Sequence, residues 1–110
     1  MPRPCKFRNI SHCPEAAYFK PRAVPLSMLE EVNLTMDELE SLRLADLDGK
    51  YHEEGAALMG VSRQTFGNIL ESARKKVADA LVNSKALRIE GGRINIISDI
   101  TSKKMQKEKK

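Results

Sequence analysis

At 110 residues the chain has room for one domain with one modest core. Apolar residues make up 41%, too many for a wholly disordered chain, while 5% aromatic residues and no Trp favour packed helices over a β-sandwich. The net charge of +4 argues only weakly for a nucleic-acid partner, but it is segregated: residues 31–60 are strongly acidic, while basic residues gather in 61–100 and at both ends.

No apolar run is long enough to cross a bilayer, and the N-terminus lacks the apolar stretch of a signal peptide. The expectation is a cytoplasmic protein with no membrane partner. Residues 1–25 hold all the prolines, Pro2, Pro4, Pro14, Pro21 and Pro25, with Arg3, Lys6 and Arg8 among them, and read as an extended basic arm. Residues 26–100 read as the folded domain. Leu26 to Val32 is expected to be a short helix with Leu29 and Val32 inward. Thr35 and Glu38 then form a T-x-x-E capping box, preceded by Leu34 as a hydrophobic staple. That helix should run to about Leu47 and stop at Asp48-Gly49. Met36, Leu39, Leu42, Leu44 and Leu47 spread over a wide arc, so it should be buried on more than one side. Arg43 and Asp46 interrupt the arc at the spacing of an i,i+3 ion pair.

A second, short helix fits His52 to Met59, with a turn at Gly60-Val61. Ser62 caps a third helix whose apolar positions are Phe66, Ile69, Leu70, Ala73, Val77 and Leu81. After Lys85 the pattern alternates. Leu87-Arg88-Ile89-Glu90, Gly91-Gly92 and Arg93-Ile94-Asn95-Ile96 read as a β-hairpin pairing Ile89 with Ile94 and Leu87 with Ile96. Residues 101–110, half lysine, read as a disordered tail. The fold class expected is mainly α: a three-helix helix-turn-helix core with a proline-rich N-terminal arm and a short C-terminal hairpin.

The stretch His52–Ile69 has the spacing of a helix-turn-helix. Ala56 is small enough for close helix approach, Gly60 accepts a positive φ in the turn, and Val61, Phe66 and Ile69 fill the space between the helices. The third helix then turns Arg63, Gln64, Thr65, Gly67, Asn68 and Glu71 outward. Arg suits the O6/N7 edge of guanine, Gln and Asn the N6/N7 edge of adenine, and Thr a thymine methyl. Arg63, Gln64, Thr65 and Asn68 are therefore the candidate base readers. Ser62, Arg74, Lys75 and Lys76 are placed for backbone phosphates. Gly67 fits either a close approach to DNA or a tight contact between helices. Arg3, in the Pro2-Arg3-Pro4 run, is a candidate for a phosphate contact or a narrow minor groove.

The string LTMDELESLRLADLDGKYHEEGAALMGVSRQTFGNILESARKKVADALVNSKALRIEGG, with PRP, FKP and PLSMLEEV ahead of it, closely resembles a family of small prokaryotic proteins known as domain of unknown function 134. GVSRQTFGNIL and ALRIEGG are its most specific parts, and the resemblance covers roughly residues 2–92. It implies a DNA-binding regulator with a helix-turn-helix similar to the winged or sigma-factor region-four type, and no defined operator.

Cys5, His12 and Cys13 lack the spacing of a zinc knuckle and have no evident fourth ligand, so neither a metal nor a cofactor is expected. No nucleophile–base set or phosphate loop can be assembled, and His52 reads as a surface or capping residue, so the chain is not expected to be an enzyme. The expectation is a transcriptional regulator that binds double-stranded DNA as a homodimer, the apolar hairpin face offering the route to the second copy. The alternative is a protein–protein interaction module of the transcription machinery that keeps the same fold.

Overall fold

In a computed structural model the described residues are 8–11, 13–14, 17–92 and 94–96. Among them, three helices lie between short strands: β1 (Arg8–Ile10), β2 (Tyr18–Phe19), β3 (Glu31–Leu34), α1 (Met36–Leu42), α2 (His52–Met59), α3 (Arg63–Val82), β4 (Ala86–Ile89) and β5 (Ile94–Ile96).

Thr35 starts α1 through the expected reciprocal cap: its N–H donates to the Glu38 carboxylate at 2.9 Å. The helix ends at Asp48, and Gly49 takes φ 74°. Its last stretch, Arg43–Leu47, is a π-helical turn, closed by the Asp48 N–H donating to the Arg43 carbonyl. The wider turn rotates the residues after Leu44 away from the α-helical stripe. Leu44 is buried, whereas Leu47, expected in the apolar arc, is 79% exposed. The spaced pair Arg43–Asp46 does not form. Arg43 binds Glu40 and Asp48, and Asp46 faces Arg74 on α3. The flanks of α1 are buried as carboxylates and a hydroxyl, at Asp37, Glu38, Glu40 and Ser41, rather than as leucines. Glu40 is satisfied by Arg43 and by the N–H and hydroxyl of Ser11.

Leu26 to Val32 is not a helix. A 3-10 turn spans Leu26–Met28, and Val32 lies in β3. The competing partner is β4: Val32 stands opposite Leu87 and Leu34 opposite Ile89 in a parallel ladder that the intervening helices connect. Central in its sheet, β4 is flanked by β3 and by antiparallel β2. Both its edges are occupied, so the expected hairpin with β5 has no edge to use. Gly91 and Gly92, at φ 79° and 102°, instead carry the chain across the start of α1, where the Met36 N–H donates to the Gly91 carbonyl at 2.9 Å. From there β5 pairs in parallel with β1, Ile94 beside Arg8 and Ile96 beside Ile10. Part of the stretch expected to be an arm thus forms strands, and Ile10 is only 1% exposed.

Two apolar clusters meet along α3. Leu44, Ala56, Met59, Phe66, Ile69 and Leu70 form one; Leu34, Ala73 and Ile89 form the other. Towards its C-terminus the inward stripe runs from half-buried Val77 to buried Ala80, and Leu81, expected inside, is 75% exposed. A 3.6-residue period drifts away from a fixed four-residue step, and here three residues reach the core. No described helix is long and apolar enough to cross a membrane.

Candidate functional site

The α2–α3 corner is built from short-range instructions. Gly60 ends α2 in the left-handed region at φ 71°, and the Val61 N–H donates back to the Ala56 carbonyl at 3.0 Å. Ser62 caps α3, its Oγ accepting from the Thr65 N–H at 3.0 Å and its hydroxyl donating to Thr65 Oγ1 at 2.9 Å. Close approach of the helices depends on Gly55 as well as on buried Ala56. A Cβ on Gly55 would stand 2.4 Å from Phe66 Cζ. His52 meets the Phe66 ring edge-on at 5.4 Å, so it packs at the start of α2.

With Phe66, Ile69, Leu70 and Ala73 held inside, helical geometry turns Gln64, Asn68, Glu71 and Lys75 to the opposite side, and all four are exposed. Arg63 lies beside this ridge, exposed, with Nε 3.7 Å from Glu53. Thr65 is half-buried and its hydroxyl is engaged by Ser62. A Cβ on Gly67 would meet only His52 Nδ1, at 3.8 Å, so no tight helix contact requires glycine there.

The three cations further along α3 diverge. Lys75 stays on the exposed ridge, with no ion-pair partner among the described residues. Arg74 turns to Asp46 through two hydrogen bonds of 2.6 and 3.1 Å. That guanidinium holds the Asp46 carboxyl below its ordinary range. Lys76 turns the other way and donates to Glu38 at 2.7 Å. The sequence pattern put Arg74, Lys75 and Lys76 on one phosphate-facing surface, but successive helical residues point about 100° apart, and Asp46 and Glu38 engage Arg74 and Lys76 in different directions. Arg3, Cys5 and His12 lie outside the described residues. Cys13 is exposed, and among the described residues no group of three His, Cys, Asp or Glu side chains could hold a metal.

Residues missed in the sequence include Lys50 and Tyr51, which with His52, Glu53, Arg63 and Arg74 line an open basin beside α3. The one local signal was Lys50 directly after Gly49, at a helix end where a glycine aims the following residue.

Residues 1–97 match the family described as protein of unknown function DUF134. The chain belongs to this family. It is 61% identical over 92 residues to a UPF0251 protein of Desulfosudis oleivorans, covering 84% of this chain and 67% of the relative. It is 56% identical over 99 residues to a UPF0251 protein of Caldanaerobacter subterraneus subsp. tengcongensis, covering 90% and 84%. A UPF0251 protein of Dehalococcoides mccartyi is 59% identical over 92 residues, covering 84% and 79%. No solved structure matches. For this DUF134 chain, chemistry must therefore be argued from its own side chains.

Proposed function

We propose that the protein binds duplex DNA sequence-specifically, using α2, the turn at Gly60–Ser62 and α3 as a helix-turn-helix similar to sigma-factor region four, and that it regulates transcription. The observation that carries this reading is the exposed ridge of Gln64, Asn68 and Lys75, with Arg63 beside it, on a helix whose opposite side is locked in the core. A face selected only for solubility has little use for Arg, Gln and Asn at these positions, whereas base edges in the major groove do. In this reading Arg63, Gln64 and Asn68 read bases, and the Thr65 methyl group meets thymine. Ser62, Arg74 and Lys75 contact the backbone. Lys76, held by Glu38, serves the fold. One module of this size buries too little surface for tight specific binding, so the DNA-bound form is a homodimer.

Selection of the purified protein on randomised duplexes, beside an Arg63→Ala, Asn68→Ala variant, tests the reading. The expected result is a motif that the variant loses, each bidentate base contact being worth about 1–3 kcal/mol. If no motif emerges and both proteins bind alike, α3 does not read sequence.

A second reading, a protein-interaction module of the transcription machinery, is favoured by an open apolar groove along Leu39, Leu42 and exposed Leu47, rimmed by Arg43, Asp46 and Asp48. Salt separates the two. Phosphate binding weakens steeply as salt rises because it releases counterions, and an apolar contact does not.

A further inference from the structure

The basin beside α3 has a volume of about 290 Å³, and three cations line it: Arg63 and Arg74 from α3, and Lys50 from the loop before α2. Arg63 and Arg74 are three turns apart on one flank of α3, about 16 Å along its axis. His52, at the start of α2, sits against Gly67 between them. Lys50 comes in from the loop just before, its backbone N–H fixed to the Leu44 carbonyl at 2.9 Å. The result is an open trough whose lining includes two guanidinium residues and a lysine, and Lys50 makes no ion pair among the described residues.

Each arginine already faces a carboxylate: Arg74 meets Asp46 at 2.6 Å and Arg63 meets Glu53 at 3.7 Å. Both pairs are largely exposed, so solvent screening leaves them weak and exchangeable for another oxyanion. Arg63 and Arg74 each precede a residue of the outward ridge, Gln64 and Lys75, by one position. The trough therefore lies about a quarter-turn around α3 from the ridge.

We infer that this trough takes backbone phosphates of one strand of the duplex whose groove α3 enters. The inference rests on the DNA-binding reading and adds to it a site, with Lys50 as its central residue. The open shape suits a polyanion that passes through. The guanidiniums offer forks matched to phosphate oxygens, and the exposed Tyr51 hydroxyl is a further donor. Asp46 and Glu53 then act as built-in competitors that hold the arginines until phosphate displaces them.

The test is the salt dependence of duplex binding, read by fluorescence anisotropy on a selected and a scrambled sequence, for wild type, Lys50→Ala and Asp46→Asn. Circular dichroism melts confirm that the variants fold. Lys50→Ala is expected to weaken binding about five- to tenfold at 0.1 M salt on both duplexes and to make the log–log salt slope shallower by about one. Asp46→Asn is expected to tighten binding to both by releasing Arg74. Wild-type slope and affinity in Lys50→Ala, or a loss confined to the selected sequence, overturns the assignment. So does calorimetric binding of inorganic phosphate that Lys50→Ala abolishes while its DNA slope is unchanged, since the trough then serves a free anion. A wild type that binds no duplex removes the DNA-binding reading itself, an outcome distinct from a silent Lys50 variant.

Discussion

The Glu38 carboxylate accepts from three places: the Thr35 N–H at 2.9 Å, the Ser72 hydroxyl at 2.6 Å and the Lys76 ammonium at 2.7 Å. It caps α1 and ties it to two positions one turn apart on α3. Burial pushes its pKa up, but the hydrogen bonds from Lys76, Ser72 and Thr35 together outweigh that, and the carboxyl ionises below its ordinary range. The native fold therefore favours the charged form. Its contribution to stability is fully present above the ordinary glutamate value near 4.5 and is lost as pH falls through the lower folded value. Thermal melts across pH should show wild-type stability dropping in that acid window. Glu38→Gln should be less stable at neutral pH by about 1–3 kcal/mol and should flatten the acid drop. An unchanged acid drop in the variant would assign it to other carboxylates. None of this is visible in sequence beyond the T-x-x-E cap, because Lys76 meets Glu38 only once α1 lies across α3.

At the scale of the elements, two glycines on facing helices give opposite expectations. Alanine at Gly55 must push the ring of Phe66, which is fully buried, so Gly55→Ala should destabilise the protein by about 1–3 kcal/mol in chemical denaturation. Alanine at Gly67 meets ordinary contact distance, so Gly67→Ala should stabilise by about 0.5–1 kcal/mol. If that variant gains stability yet binds DNA less tightly, the glycine is there for the DNA's approach; equal binding would remove that role. The helices are legible in the sequence because their signals are local: the box at Thr35, the left-handed Gly60, the Ser62 cap and the apolar period of α3. The outward ridge is legible for the same reason. The strands are not. A pair of glycines between alternating runs looks like a hairpin turn from either side, and nothing near Gly91 reveals that β2 and β3 have already taken both edges of β4. The strand at Arg8–Ile10 is hidden likewise among the prolines, since its pairing partner lies at residues 94–96, far along the chain.

For the whole molecule, the far end of α3 carries an apolar surface. Phe19 is 53% exposed, Leu81 75% and Val82 78%; Phe19 and Leu81 share one shallow basin, and Val82 follows Leu81. Leu81 lies about 20 Å along the helix from Asn68. Two copies meeting there would set their outward ridges about 40 Å apart, close to the ~34 Å between successive major-groove faces of DNA. Should the protein dimerise as proposed, this exposed surface is the candidate route in place of the unformed hairpin. Sedimentation should show a dimer at micromolar concentration and a folded monomer for Leu81→Lys with Val82→Lys; a monomeric wild type, with and without DNA, would exclude it. The pairing of β1 with β5 has a consequence of another kind. On the ribosome β1 is synthesised before every helix, and the strand it needs is synthesised after all of them. Helices and corner can assemble as they emerge, but the parallel pair closes the longest loop among the described strand pairings and cannot form until translation has passed Ile96. The nascent chain therefore carries β1 unpaired while the helices are made, and this pairing is a late step of folding.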